Sequence, residues 1–223
     1  MSLCSLTLTE AAADVREGRV TSAELVSACL QRIDEVDGPV QAWAILDRDH
    51  ALRQAGAADD HRKEGKATGP LHGIPIGIKD IFDTGDLPTE LGSPLWAGRT
   101  PRRDAAAVAM LRAAGAVILG KTVTTEYAYF TPGKTRNPHD PGRTPGGSSS
   151  GSAAAVAALM VPGAIGSQTN GSVIRPASFC GVVGFKPTHG LIPRSGALIL
   201  SRALDHVGVF ARSVEDAALL AET

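Results

Sequence analysis

The sequence predicts an α/β fold in which helices cover a β-sheet, and three observations support this prediction. The 223 residues are 43% hydrophobic and 20% charged, which is the balance of a folded domain rather than of a disordered chain. After residue 70, short runs typical of β-strands alternate with Ala-rich runs typical of helices. Aromatic residues make up only 4% whereas 25 residues are Gly, so we expect an aliphatic core with close backbone approaches.

The first 60 residues are predicted to be helical. After residue 21, apolar side chains recur at the spacing of one helix face, and Gly38-Pro39 is expected to end this helix. A third helix is predicted from Asp47 to about Lys63. Two Thr–Glu pairs have the spacing of a capping box, in which each side chain satisfies a free helix donor: Thr7 with Glu10, and Thr21 with Glu24.

The remainder of the chain alternates between the two kinds of element. Asp104 is expected to cap the helix that follows it, and Gly115 to terminate that helix. The final helix stops with the chain and has no Gly, Pro or basic C-cap, which is expected either of a terminal helix that frays or of a chain cut within its fold. The predicted elements are strand Ile74–Ile78, helix Ala105–Ala114, strand Ala116–Leu119, helix Ser149–Leu159, strand Val182–Phe185 and helix Ser213–Glu222.

Composition excludes several classes of protein. Lys plus Arg number 22 against 23 Asp plus Glu, a net charge of −1 that lacks the basic footprint of a nucleic-acid binder. The three cysteines, Cys4, Cys29 and Cys180, are odd in number and widely spaced, which favours neither a disulfide framework nor a zinc site. The longest clean apolar run, Ala153 to Val161, is less than half of the roughly 20 residues that a membrane span needs. Because no signal peptide is apparent either, we expect a cytoplasmic protein that binds neither nucleic acid nor membranes.

One motif match is rejected. The run Gly115-Ala-Val-Ile-Leu-Gly-Lys-Thr122 fits the G-x-x-x-x-G-K-T pattern of phosphate-binding loops. Its four inner residues favour a buried strand over a loop whose N–H groups surround phosphates. The lysine would then lie at the end of a strand instead of the start of a helix, so nucleotide binding is not expected.

A second motif match is kept as a minor alternative. Gly147-Ser-Ser-Ser-Gly151 fits G-x-S-x-G, the nucleophile elbow of α/β-hydrolases, with Ser149 as nucleophile. Asp205 and His206 could supply the downstream partners. That fold needs an apolar strand directly before the elbow, whereas a proline-rich loop (137–146) stands there.

Three separate segments resemble the amidase signature family, which hydrolyses amide bonds with a Ser–Ser–Lys triad. The longest, from Gly146 to Gly190, contains G-G-S-S-S-G-S-A-A-A-V-A-A, G-S-Q-T-N-G-S-V-I-R-P-A-S-F-C-G and G-F-K-P-T-H-G. Leu71–Asp80 (L-H-G-I-P-I-G-I-K-D) is similar to the family's lysine segment, and Ala114–Thr122 to its next strand. Several matches in the right order make the resemblance specific.

The resemblance implies a fold, a set of partners and an activity. The fold would be a mixed β-sheet covered by helices in one domain, with a helical segment (1–65) and a catalytic α/β core (66–223). Since family members are usually considerably longer, we expect only the N-terminal half of that fold, truncated at the C-terminus. The activity would be amide hydrolysis on a small-molecule amide, without metal or organic cofactor, in a homodimer or with a partner subunit. The alternative is a non-hydrolysing fragment or a partner-dependent subunit of the amidotransferase A type.

The resemblance also assigns the site residues. Lys79 would be the base and Ser172 the nucleophile, with Ser148 as the bridging serine that follows a cis Gly147–Ser148 peptide bond. The two serines are 172 − 148 = 24 residues apart, which is the family's usual separation. The oxyanion hole would be formed by the backbone N–H groups of four residues: Thr169, Asn170, Gly171 and Ser172.

The chemistry of these assignments rests on the state of the lysine. A serine hydroxyl needs a base to remove its proton, and lysine can be that base only when it is neutral. Burial among hydroxyls would lower the lysine pKa toward neutrality. Asp80 should not oppose this, because adjacent residues of a strand point to opposite faces.

Two departures from the family pattern bear on the substrate. Asn170-Gly171 replaces the common Gly-Gly pair, and Asn is expected to tolerate a left-handed backbone there and to narrow the pocket. Ile174 stands where the family commonly has arginine, and Arg175 follows it. This arrangement resembles members that act on small carboxylate-bearing amides, such as malonamidase, so Arg175 is the candidate substrate-binding residue. The alternative is that Arg175 pairs with a structural carboxylate of the chain.

Overall fold

A computed structural model describes residues 2–223 as a six-stranded sheet with helices on both faces. Short 3-10 turns lie at Leu3–Ser5, Pro94–Trp96 and Glu126–Ala128. The helices are α1 (Leu8–Glu17), α2 (Ser22–Val40), α3 (Arg48–Lys63), α4 (Ala106–Ala113), α5 (Ser150–Ala157), α6 (Ile174–Cys180) and α7 (Val214–Glu222). The strands are β1 (Trp43–Leu46), β2 (Pro75–Lys79), β3 (Val117–Thr122), β4 (Gly163–Gln168), β5 (Val183–Phe185) and β6 (His206–Ala211).

The sheet is mixed, as expected, and runs in the order β1-β3-β2-β4-β6-β5. Strand β2 lies between β3 and β4 and is parallel to both, whereas the other pairs are antiparallel. All five residues of β2 are buried, as is usual for a parallel strand covered on both faces. Because β2 and β4 are parallel, their carboxyl ends meet at one edge of the sheet, where α/β proteins commonly bind ligands.

Two apolar clusters hold the layers together. One joins α1, α4 and α7 to one face of the sheet, through side chains such as Leu8, Leu111 and Leu220 with Ile76. The other joins α2, α3, α5 and α6 to the opposite face. The expected aliphatic core is confirmed, because Ala, Val, Leu and Ile make up most of both clusters.

Local signals predicted most of the elements correctly. Both capping boxes form, at the starts of α1 and α2, and α3 begins after Asp47 as expected. The predicted strand at Ile74–Ile78 is β2, and the segment rejected as a phosphate-binding loop is strand β3. The predicted helix Ser213–Glu222 is α7, whose start is capped by the Ser213 side chain.

Three expectations were wrong. The first 60 residues are not helical throughout, since β1 pairs with β3 and belongs to the sheet. Helix α2 continues through Gly38-Pro39 to Val40, only one residue past the proline, which has no N–H to donate to the last turn. Asp104 does not cap α4, since its carboxylate instead accepts hydrogen bonds from Gly85 N and Arg112 Nε.

Besides β1, two strands and one helix were not predicted: β4, β6 and α6. Strand β4 contains Gly163 and Gly166, which weaken a strand pattern in the sequence. A Cβ on Gly166 would lie 2.6 Å from Ser149 Oγ and 2.7 Å from Phe210 Cε2, so close packing requires glycine there. No helix within residues 2–223 has the length and apolarity that crossing a bilayer requires.

Candidate active site

Lys79 lies at the carboxyl end of β2 and is completely buried. Its Nζ donates hydrogen bonds to Ser148 Oγ at 2.7 Å and to Ser167 Oγ at 2.8 Å. Ser167 comes from β4, whose register sets Ile78 opposite Ile165 and so carries Ser167 past the end of β2. The lysine therefore has two hydroxyl groups as its hydrogen-bond partners.

Burial lowers the pKa of Lys79 from 10.5 to about 7, because the protonated amine loses the solvation of water. The negative charge of Asp205 opposes this shift by favouring the protonated form. A substantial fraction of the amine is therefore neutral near pH 7. This is the state that a general base requires.

Asp80 points away from Lys79, as expected from strand alternation. Its carboxylate lies 3.3 Å from Lys121 Nζ and accepts a hydrogen bond from Glu90 N at 3.1 Å. Lys121 also donates to Thr89 Oγ1 and Phe82 O. Burial raises the pKa of Asp80 and lowers that of Lys121 to about 8, and each charge opposes the shift of the other. The lysine of the apparent phosphate-binding motif is thus buried and paired with a carboxylate.

Ser148 follows a cis Gly147–Ser148 peptide bond, as the family resemblance implies. The peptide group that follows Ser148 is tied to neighbouring loops through both its C=O and its N–H. Thr125 N donates to Ser148 O at 3.1 Å, and Ser149 N donates to Ser172 O at 3.4 Å. The second bond joins the loop that carries one predicted serine to the loop that carries the other.

Ser172 lies in the loop between β4 and α6 and is nearly buried. The Gln168 side chain holds this loop, since its Oε1 accepts from Val173 N at 2.9 Å and from Ile174 N at 3.0 Å. Within the part of the chain that the structure describes, four successive backbone N–H groups have no hydrogen-bond acceptor: those of Thr169, Asn170, Gly171 and Ser172. These free donors are the ones that the resemblance assigns to an oxyanion hole.

A cavity of about 440 Å³ opens over these loops. Five of the predicted site residues line it: Ser148, Thr169, Asn170, Ser172 and Arg175. Lys79 is behind Ser148 and does not line the cavity. The rest of the wall is largely apolar and includes Tyr129, Phe130, Phe179 and Leu200. The cavity wall therefore carries the hydroxyl groups of Ser148 and Ser172, and the buried amine of Lys79 contacts the first of them.

Arg175 is exposed at the cavity, and no carboxylate within residues 2–223 forms an ion pair with it. Its guanidinium lies beside Gly171, where a Cβ would come within 3.1 Å of Nη2, so glycine at 171 leaves room for it. Asn170 lines the cavity, as expected. However, Asn170 is not among the residues with a positive φ, so the expected left-handed backbone is not needed there.

The alternative nucleophile Ser149 lies in a different environment. It is fully buried, does not line the cavity, and donates from Oγ to Ser167 O at 3.2 Å. His206 is hydrogen-bonded through Nδ1 to Leu204 O and packs against His189. No apolar strand directly precedes Ser149. The structure therefore does not form the nucleophile elbow of an α/β-hydrolase.

Ser167 and Gln168 were missed by the sequence reasoning, although both contact the site. The sequence does show two polar residues directly before the nucleophile loop. They were not recognised because β4, which ends with them, was not predicted. The cysteines Cys4, Cys29 and Cys180 are buried free thiols away from the cavity. Within residues 2–223, no three His, Cys, Asp or Glu side chains cluster as metal ligands would.

Comparison with known proteins identifies the family of the chain. The family model described as Amidase matches residues 24–223. The A subunit of glutamyl-tRNA(Gln) amidotransferase from Streptomyces avermitilis is 45% identical over 228 residues, which cover 100% of this chain and 46% of that protein. The corresponding protein of Chloroflexus aurantiacus is 44% identical, with 96% of this chain and 45% of that protein covered.

Solved structures give the same result. The native peptide amidase from Stenotrophomonas maltophilia matches with a TM-score of 0.92 at 42% identity, over 97% of this chain and 47% of that one. Fatty acid amide hydrolase matches with a TM-score of 0.91 at 29% identity, over 98% of this chain and 40% of that one. The chain spans about half the length of the curated relatives that it matches. From the family model, the sequence identities and the shared fold, we conclude that the chain belongs to the amidase signature family.

Proposed function

We propose that the chain hydrolyses a carboxylic amide to the acid and ammonia through an acyl-enzyme intermediate on Ser172. The observation that carries this proposal is the 2.7 Å hydrogen bond from buried Lys79 to Ser148, at a cavity that Ser172 also lines. Lys79 would be the base and Ser148 the relay between the two. The amidase structures that share the fold support the same class of reaction.

The proposed reaction moves a proton from Ser172 to Lys79 through Ser148 and later returns it. Ser172 Oγ passes its proton to Ser148 as Ser148 passes its own to neutral Lys79, and Ser172 Oγ attacks the amide carbon. The resulting oxyanion accepts hydrogen bonds from the free N–H groups of the 169–172 loop. Removing one such donor typically lowers the rate about 100- to 1000-fold. The proton then returns through Ser148 to the leaving nitrogen, and water repeats the sequence to release the acid.

A second candidate function is that of a subunit that acts only in a complex. The names of the curated relatives favour it, since they are subunits of an amidotransferase. In that case the chain would bind a partner protein and would not release ammonia by itself.

One experiment separates the two functions. We expect the purified chain to release ammonia from small amides in the size-exclusion fractions that contain it alone. The readout is ammonia per fraction, with the Ser172→Ala chain prepared in parallel. Ammonia release that appears only after a partner protein is added would favour the second candidate instead.

The substrate is proposed to bear a carboxylate. Arg175 supports this, because its exposed guanidinium faces the cavity beside the nucleophile loop without a carboxylate partner in residues 2–223. A planar guanidinium can donate two parallel hydrogen bonds to a carboxylate. The apolar wall at Tyr129 and Phe130 would then contact the uncharged part of the substrate.

Arg175→Met tests this assignment. We expect KM for a carboxylate-bearing amide to rise about 10- to 100-fold, which is the effect of losing a charged hydrogen bond. The kcat/KM for a neutral amide of similar size should change little. Arg143→Met is the matched control, since Arg143 is exposed outside the cavity. An equal loss on both substrates would contradict a role in carboxylate binding.

A further inference from the structure

Asp205 is a buried carboxylate at the edge of the candidate site that the proposed reaction does not use. It directly precedes β6, whose first residue His206 pairs with Gln168 at the end of β4. Its Oδ1 accepts a hydrogen bond from Thr169 Oγ1 at 2.5 Å. Its Oδ2 accepts from Leu200 N at 2.7 Å and from Ser201 N at 2.9 Å.

These three bonds connect two walls of the cavity. Thr169 begins the loop that carries the free N–H groups and the nucleophile, whereas Leu200 and Ser201 line the cavity from another segment. The backbone of Asp205 is fixed as well. Its N donates to Ser201 O at 3.0 Å, and Arg194 Nη1 donates to its O at 2.9 Å. The carboxylate is therefore held in place on all sides.

The charge of Asp205 is not neutralised by its hydrogen-bond partners, which are a hydroxyl and two backbone N–H groups. Arg194 contacts only the backbone oxygen, and the neighbouring His206 is turned to Leu204 O. The charge of Asp80, the residue after Lys79 in the sequence, is paired with that of Lys121. Lys79 contacts Ser167 and Asp205 contacts Thr169, two residues further along the chain, so the carboxylate and the amine lie close to the same short segment. The charge of Asp205 raises the Lys79 pKa that burial has lowered.

We propose that Asp205 is a positioning residue of the site: its carboxylate ties the nucleophile loop to the Leu200–Ser201 wall and keeps a negative charge acting on Lys79. Its effect on Lys79 is a property of the fold, whereas its effect on turnover rests on the proposed hydrolysis. The two effects can be measured separately. Asparagine removes the charge but can still accept from Leu200 N and Ser201 N through its oxygen while its NH2 group donates to Thr169 Oγ1. Thr169→Val removes one hydrogen bond but keeps the charge.

The experiment titrates Lys79 in the full chain labelled with ¹³C-lysine, with the Lys79 resonance assigned by its loss in Lys79→Met. We expect Asp205→Asn to shift the titration of Lys79 to lower pH, because the charge that favours the ammonium is lost. Thr169→Val should leave that titration in place and lower kcat about 10- to 100-fold by freeing the nucleophile loop. The acid limb of kcat/KM should follow the titration in both variants.

Each outcome decides the proposal. An Asp205→Asn chain that is folded by circular dichroism but titrates like the wild type would overturn it. If Asp205→Asn does not fold, Thr169→Val decides, because an unchanged kcat would show that the tie has no role. If Asp205→Asn shifts the titration of Lys79 but the wild-type chain releases no ammonia, the result supports Asp205 acting on Lys79 and contradicts the proposed hydrolysis.

Discussion

Ser172→Ala is expected to abolish amide hydrolysis, with kcat/KM falling by about 10⁴- to 10⁶-fold, as when a catalytic serine is removed from other hydrolases. The reason is geometric: Ser172 lines the cavity beside four free N–H groups, and no acyl-enzyme can form without its hydroxyl. The measurement is ammonia release from a small amide. In parallel, a fluorophosphonate probe should label the wild-type chain on Ser172, as read by peptide mass spectrometry.

Ser149→Ala is the matched control for this variant. Ser149 is adjacent in sequence to Ser148, the proposed relay, but its hydroxyl is buried and bonded to the Ser167 backbone. We expect this variant to retain most of its activity and its probe labelling. Labelling of Ser149 in the wild type, or full activity in Ser172→Ala, would contradict the assignment of the nucleophile.

Elements with strong local signals could be predicted from the sequence. The helix starts at Thr7 and Thr21 depend on side chains three residues apart, and the apolar run of β2 reflects its burial on both faces. Strand β4 could not be predicted in this way. Its glycines are required by contacts with Ser149 and Phe210, which come from other elements. Such a requirement exists only in the folded chain.

The same division applies to the site. The order of the motifs predicted a buried lysine near the Ser148 loop, and the structure places Lys79 Nζ 2.7 Å from Ser148 Oγ. Ser167 was missed and Asp205 was considered only as a partner of Ser149, because their contacts at the site depend on the pairing of β4 with β2 and β6. The sequence also does not show that the charge of Asp80 is paired with that of Lys121. The sequence motifs therefore identify the side chains of the site. The protonation state of Lys79 depends in addition on its burial and on neighbours that only the fold brings to it.

Lys79→Met is expected to lower kcat/KM by about 10²- to 10⁴-fold, the usual contribution of a general base. In the wild type, only the neutral amine can accept the proton. Activity should therefore rise about tenfold per pH unit below pH 7 and level off above the Lys79 pKa of about 7. Lys63→Met, which alters an exposed lysine, should leave this profile unchanged. A wild-type profile that is flat between pH 5 and 7 would contradict a lysine base.

The same lysine should make the stability of the fold depend on pH, in a direction that follows from its pKa. Between about pH 7 and 10.5, the unfolded chain binds a proton at Lys79 that the folded chain does not. The free energy of unfolding should then rise with pH by about 1.4 kcal/mol per unit in that window. Lys79→Met removes this contribution, whereas the similar contribution of Lys121 is present in both chains and cancels in the difference. The free energies of unfolding of the two chains, measured with urea from pH 6 to 9, should therefore diverge as pH rises. The wild type should become more stable relative to Lys79→Met. Parallel pH dependences of the two free energies would mean that Lys79 stays protonated in the folded chain. A protonated lysine could not accept the proton that Ser148 relays from Ser172.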